Sequence, residues 1–138
     1  MEQRPVRVVR DEDLQDADPT PGMRRRRAVE APGLWAGLVH TEPRAASGWH
    51  HHGEHETSLF VVRGRMRLEF GPGGQDVAEA GPGEFLHVPA GTVHRESNPD
   101  TLTSTAVIAR AGSGPTTVNV DGPVPTSGSR PRPAAGES

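Results

Sequence analysis

Six of the seven histidines in this chain are concentrated in two short segments, which makes them the first candidates for chemistry. The first segment holds His50, His51, His52 and His55, and the second holds His87 and His94. Because side chains alternate between the two faces of a β-strand, His50 and His52 point the same way and form half of a metal site. His94 is the obvious third ligand, and imidazole nitrogen suits zinc, iron, copper or nickel. Three protein ligands leave coordination positions open for water, substrate or oxygen, as catalytic metal sites require.

Composition excludes several other kinds of chemistry. The chain of 138 residues has no cysteine, so disulfide bonds and thiolate ligands are excluded. It also has no tyrosine and no lysine, which excludes a phenolic acid or base and a Schiff-base mechanism. The net charge of -3 does not favour nucleic-acid binding, and we interpret the run 24–27 of four arginines as a solvated strand face or an oligomer contact. No apolar run approaches a membrane span and the N-terminus lacks a signal-peptide core, so we expect a soluble, cytoplasmic protein without a membrane partner.

The elements that must position the histidines are predicted to be short strands. The 17 glycines and 14 prolines argue against a helical bundle and favour strands joined by turns. Strand patterns recur at about ten-residue spacing, which is typical of sandwiches and barrels. We predict strands at 33–41, 45–52, 58–62, 65–70, 76–80, 84–88, 94–97 and 103–110, with an edge strand at 117–120.

Length and composition predict one domain with an extension at each end. Residues 1–23 are predicted to be an N-terminal arm that is partly strand, with a short strand over 6–9 and an acidic loop over 11–18. The barrel is predicted over 24–120. Residues 121–138 are rich in proline, glycine and serine and are predicted to be a flexible tail, because they cannot bury enough apolar surface to offset the entropy of ordering.

Two segments of the chain resemble the conserved motifs of the cupin superfamily. The segment 48–64, GWHHHGEHETSLFVVRG, is similar to the first motif, in which a glycine precedes a His-x-His pair, a glutamate and a final glycine. The segment 83–98, GEFLHVPAGTVHRESN, has every fixed position of the second motif, namely Gly83, Pro89, Gly91, His94 and Asn98. The resemblance covers roughly 33–111. It implies an all-β double-stranded β-helix, or jelly-roll barrel, that holds one divalent metal ion.

The first motif departs from the family pattern at the position of the metal-binding glutamate. Counting back from Gly64, that position holds Thr57, and Glu56 lies one residue earlier. Two ligand sets therefore stay open. One consists of the three histidines already named, with Thr57 behind them. The other adds Glu56, which a bulge permitted by Gly53 would turn inward, and His55 is a further substitute for the carboxylate.

The resemblance implies a metal pocket rather than one reaction, because the family includes oxygenases, isomerases, epimerases, decarboxylases, sugar binders and storage proteins. We favour an iron(II) oxygenase of a small molecule, in which Glu56 or His87 accepts a proton from the substrate. The alternatives are a metal-dependent isomerase or decarboxylase and a non-catalytic ligand-binding protein. Fe²⁺ is the favoured ion, with Zn²⁺, Ni²⁺ or Mn²⁺ as alternatives. Exposed strand edges near the N-terminus predict a homodimer.

Overall fold

The computed structural model describes residues 3–123, and eleven strands account for nearly all of their regular structure. Two short 3₁₀ turns, Asp11–Asp13 and Pro72–Gly74, are the other regular elements in this range. The strands are β1 (Gln15–Thr20), β2 (Met23–Ala31), β3 (Leu34–Thr41), β4 (His50–His51), β5 (Glu56–Arg63), β6 (Met66–Phe70), β7 (Asp76–Ala80), β8 (Phe85–Val88), β9 (His94–Ser97), β10 (Ser104–Ala111) and β11 (Val118–Asn119). Over residues 3–123, no helix has the length and apolar character needed to span a membrane.

The strands form two antiparallel sheets. The six-stranded sheet has the order β1-β2-β3-β10-β5-β8, and the five-stranded sheet has the order β11-β4-β9-β6-β7. Some neighbours are consecutive in the chain, whereas others come from distant parts of it, as where β10 lies between β3 and β5. The predicted all-β jelly-roll barrel is therefore confirmed.

The core follows from the two-residue period of the strands. In β5 the side chains of Thr57, Leu59 and Val61 are buried, whereas the residues between them are more exposed. The same alternation in the other strands contributes the rest of one apolar cluster, which includes Trp35 and Ile108. A single core between two sheets is what the length of the chain predicts.

The structure differs from the sequence-based expectation at the N-terminus. Residues 6–9 are not in a strand, and Val6 and Val8 are exposed. Instead, the second half of the segment expected to be an acidic loop over 11–18 lies in β1, which pairs with the arginine-rich β2. Opposite charges stabilise this pairing, as in the 2.9 Å contact of Arg24 Nε with Asp16 Oδ1. The six-stranded sheet thus begins at Gln15.

Two further expectations concern the strand predicted over 45–52 and the tail predicted over 121–138. The strand predicted over 45–52 is reduced to His50–His51, preceded by an isolated bridge between Ala46 and Ser97. The tail predicted over 121–138 lies outside the described residues from position 124 onward.

Strands β2 and β3 approach each other closely at a bulge. Their register shifts between Arg27 and Val29, opposite Gly37. A Cβ atom added to Gly37 would lie 2.2 Å from the carbonyl oxygen of Arg26. Glycine is therefore required here by the close approach of two backbones.

Candidate metal centre

Three histidines meet inside the barrel where β4 and β9 pair. His50 in β4 is the register partner of His94 in β9, and His52 follows β4 directly. Their ring centroids are separated by 4.4 to 5.0 Å. All three residues are buried, at 2 % exposure or less. The structure thus brings together the three ligands predicted from the sequence.

The turn before β9 positions His94. Gly91 has a φ of 75°, a left-handed conformation that glycine adopts without strain. The amide of Thr92 donates to the carbonyl of Pro89 at 3.2 Å, and the amide of Gly91 donates to the carbonyl of Gly53 at 2.8 Å. The second contact ties this turn to the loop that follows His52.

Each of the three imidazoles is oriented by a backbone carbonyl at its Nδ1 atom. The distances are 3.0 Å from His50 to Gly48, 2.8 Å from His52 to Thr116 and 2.9 Å from His94 to Thr92. A carbonyl oxygen can only accept, so Nδ1 is the protonated nitrogen in each ring. The Nε2 atom of each ring is then the nitrogen that could bind a metal ion. Histidine ligands in metal sites are held in this way.

Glu96 supplies a carboxylate to the same cluster. One ligand atom each from His50, His52, His94 and Glu96 lie within 4.8 Å of one another. Glu96 Oε2 is 3.4 Å from His50 Nε2 and 3.3 Å from His94 Nε2. Glu96 was missed in the sequence, although its position two residues after His94 on one strand places both side chains on the same face.

The residues present fit a divalent cation. The Nε2 atom of His50 is buried and has no hydrogen-bond partner among the described residues. Nε2 lone pairs and a carboxylate that face one another repel unless a cation or shared protons lie between them. Three imidazole nitrogens and one carboxylate oxygen suit Fe²⁺, Mn²⁺, Ni²⁺ or Zn²⁺.

Electrostatics favour the ligand form of two of these residues. Burial alone would raise the pKa of Glu96, but hydrogen bonds with the imidazoles of His50 and His94, which share protons with the carboxylate when no ion lies between them, and the charge of Arg25 outweigh it and hold the pKa well below its usual value. Burial, together with the charge of Arg110, lowers the pKa of His52 to about 3. At neutral pH, Glu96 is therefore a carboxylate and His52 a neutral imidazole.

Arg25 forms a buried ion pair with Glu96. Its Nη2 atom is 3.7 Å from Glu96 Oε1, and both side chains are almost fully buried. Its Nη1 atom donates to the carbonyl of Asp18 at 2.9 Å and to Thr20 Oγ1 at 2.8 Å. The run of arginines in β2 is therefore not wholly a solvated face, because Arg25 links the β1–β2 hairpin to the cluster.

A second buried arginine lies close enough to the cluster to affect its charge. Arg110 is 1 % exposed, and its guanidinium stacks 4.7 Å from the centroid of Trp35. The nearest carboxylate is Asp18, with Oδ2 3.8 Å from Nη1. Nε and Nη1 of Arg110 have no hydrogen-bond partner among the described residues. Arg110 therefore adds a poorly compensated positive charge beside His52.

The other predicted site residues lie outside this cluster. Glu56 faces outward from β5 and pairs with His87, with Oε1 2.6 Å from Nε2, and both side chains are more than half exposed. The carboxylate in the cluster is thus Glu96 and not Glu56. Thr57 is buried with its hydroxyl unpartnered among the described residues. His55 is buried, with Nδ1 3.1 Å from the carbonyl of His52.

Comparisons with known proteins agree with this fold. The profile of the family described as "Cupin domain" matches residues 37–108. The polyketide cyclase RemF from Streptomyces resistomycificus is 22% identical, with a TM-score of 0.69 over 83% of this chain and 85% of that chain. KdgF from Halomonas sp. is 20% identical, with a TM-score of 0.66 over 78% of this chain and 96% of that chain.

A third solved structure, oxalate decarboxylase from Bacillus subtilis, is 18% identical with a TM-score of 0.66, and the match covers 77% of this chain and 30% of that chain. At these identities the likeness establishes the fold alone. No curated protein sequence matches the chain.

Proposed function

The chain belongs to the cupin domain family, and from that premise we propose that it is a metal-dependent enzyme that acts on a small molecule. The reaction that we favour is oxygenation dependent on iron(II). The observation that carries the proposal is the set of three carbonyl-fixed imidazoles that converge with one carboxylate inside the barrel.

The four ligand residues have separate tasks in this proposal. His50, His52 and His94 would bind the ion through Nε2, and Glu96 would bind it through a carboxylate oxygen. Bound iron(II) would supply electrons for the activation of oxygen, whereas zinc, nickel or manganese would supply a Lewis acid. Four protein ligands leave positions free on an ion that prefers six.

The surrounding residues orient the ligands and exclude water. The ligand residues are at most 4 % exposed, so the barrel wall separates them from bulk solvent. A low dielectric in such a site strengthens the interaction between charged groups. Arg25 fixes the carboxylate of Glu96, and three carbonyl groups fix the imidazoles.

A second candidate function is a Lewis-acid reaction on a small carboxylic acid, such as decarboxylation. The specific observation in its favour is the buried Arg110, whose Nε and Nη1 atoms have no hydrogen-bond partner among residues 3–123. Arginine binds carboxylates with paired hydrogen bonds. A Lewis-acid reaction consumes no oxygen, which distinguishes this candidate from the iron(II) oxygenase.

Metal analysis and oxygen uptake distinguish the candidates. The protein is purified without oxygen, its metal content is measured, and it is reloaded with Fe²⁺ or Mn²⁺ before small acids and phenols are added. One equivalent of iron with oxygen consumption that depends on the added compound would support the oxygenase. Turnover of an acid without oxygen consumption would support the second candidate.

His52→Ala should lose both metal and activity and serves as the negative control. Stoichiometric metal without turnover of any compound would contradict an enzymatic function and leave a ligand-binding protein. A chain that takes up no metal would refute both candidates.

A further inference from the structure

A cavity of about 210 Å³ lies between β8 and the two strands β6 and β7. β8 and β7 are edge strands of the two sheets and are not joined by a ladder of hydrogen bonds. Its walls are mainly the apolar side chains of Leu68, Phe70, Ala78, Leu86, Val88 and Pro89. The remaining lining residues are Thr92, His87 and His94, so no aspartate, glutamate or arginine of the described chain borders the cavity.

The cavity adjoins the metal centre on the side of His94. His94 is both a lining residue and a member of the ligand cluster. Phe70 is its register partner on β6, and Thr92, another lining residue, holds its Nδ1 atom. A molecule in the cavity would therefore have one end against the centre and the other toward solvent.

Size and lining limit the molecule that fits. A cavity of about 150 Å³ lined by aliphatic and aromatic side chains can hold one benzene molecule, and pockets for drug-sized ligands begin at about 300 Å³. The cavity of about 210 Å³ is therefore suited to a single six-membered ring with a small substituent. Apolar walls disfavour a charge on the part of the ring that contacts them, because such a charge would be buried without a partner.

The charges around the centre favour an anionic oxygen at its inner end. Arg25 and Arg110 are buried beside the cluster, and a divalent ion would add two further positive charges. The carboxylates that compensate them are Glu96 and the partly buried Asp18. A loaded centre is thus electropositive, and it would stabilise an ionised hydroxyl group relative to a neutral one.

We propose that this cavity is the substrate site and that the substrate class is a phenol, a single aromatic ring with one acidic hydroxyl group. The ring lies against Phe70 and Leu86, and the oxygen faces the centre beside His94. This inference rests on the proposed function, because the metal ion attracts the oxygen.

The test uses 4-nitrophenol and the full chain loaded with Zn²⁺, an ion that does not react with oxygen. Absorbance reports both binding and ionisation of this probe. We expect saturable binding and a larger phenolate fraction than in free solution at the same slightly acidic pH. Ala78→Leu fills the cavity and should weaken binding at least about 10-fold while zinc content stays at one equivalent. Ala109→Leu, on the outer face of β10, is the matched control and should bind as the parent protein does.

A second variant changes the cavity in the opposite direction. Phe70→Ala enlarges it and should increase the affinity for 1-naphthol, a two-ring phenol, relative to 4-nitrophenol. This ratio can be measured even if Ala78→Leu does not fold.

The outcomes separate the two proposals. A zinc-loaded protein that does not bind 4-nitrophenol, or that binds it equally well after Ala78→Leu, would overturn the inference and leave the metal centre intact. A protein that takes up no zinc would refute the proposed function. If that metal-free protein binds 4-nitrophenol and Ala78→Leu does not, the result would still support the cavity as the ring-binding site. If the metal-free protein does not bind 4-nitrophenol, the cavity assignment would be overturned.

Discussion

The carboxylate that completes the cluster is the residue whose replacement is most informative. Glu96 lies against two imidazoles and Arg25, whereas Glu56 lies on the outer face. We expect Glu96→Gln to lower metal affinity by at least about 10-fold, because it removes a charged ligand. Glu56→Gln is the matched control and should keep full affinity. Competition with a chromogenic chelator measures both, and the reverse order would place the carboxylate ligand at Glu56.

The pH dependence of stability should reflect His52. Its pKa is about 3 in the folded chain, compared with an ordinary value of 6.5, so the unfolded chain binds more protons between these values. Stability from this group is complete above about pH 6.5 and is lost as the pH falls toward 3. Thermal unfolding of the metal-free protein should therefore show a melting temperature that decreases from pH 7 to pH 5.

The control for this expectation is His52→Gln, which has no titrating group at the position. Its melting temperature should fall less steeply over the same pH range. Parallel slopes for the two proteins would show that His52 does not contribute.

The sequence motif was sufficient to find His50, His52 and His94, because their spacing reflects strand alternation and one turn. It was not sufficient for the carboxylate. The β5–β10 ladder is regular from Glu56 to Val61, with no bulge that would turn Glu56 inward. The family motif has its glutamate at the position of Thr57, whereas the carboxylate comes from Glu96, which strand alternation alone places on the same face as His94.

Among the elements, the contact between β2 and β3 is the one most sensitive to a single methyl group. Gly37→Ala would bring a Cβ atom to 2.2 Å from the carbonyl oxygen of Arg26, and both are backbone-fixed. We expect the free energy of unfolding to fall by about 1–3 kcal/mol, the usual cost of overpacking. Gly48→Ala is the control, because no atom lies within 4 Å of its added Cβ. Urea denaturation of both variants measures the difference, and equal stability would mean that the strands can separate at this point.

The strands of the barrel were largely predictable, because apolar alternation is a local pattern. The strand β1 was not, since its six residues include two aspartates and a proline, which are disfavoured in strands, and only their pairing with the arginines of β2 explains it. A pairing between two strands depends on the folded chain and cannot be inferred from a short stretch of sequence. The burial of Arg25 could not be predicted for the same reason, because it lies within a run of four arginines.

At the scale of the whole molecule, the outer face of the six-stranded sheet has an apolar row. Leu38, Val107, Phe60 and Phe85 are register neighbours across β3, β10, β5 and β8. Phe85 is 69 % exposed and Phe60 stacks on it, with ring centroids 4.7 Å apart. A row of this kind is typical of an interface, which fits the homodimer predicted from strand edges.

We expect the protein to have twice its chain mass of 14.7 kDa in solution. Phe85→Glu should shift the mass toward that of one chain, because it places a charge within the apolar row. Light scattering during size-exclusion chromatography measures both. A parent protein that is already monomeric would contradict the homodimer, and a variant that stays dimeric would place the interface on another face.

The contacts of His52 and Glu96 determine how the centre could be transplanted into another protein. The family profile spans residues 37–108, yet the carbonyl that fixes His52 comes from Thr116 and the guanidinium beside Glu96 comes from Arg25. A graft of residues 37–108 alone would contain all four ligands but would lack two of the groups that orient them. The smallest segment that carries the complete centre therefore extends at least from Arg25 to Thr116.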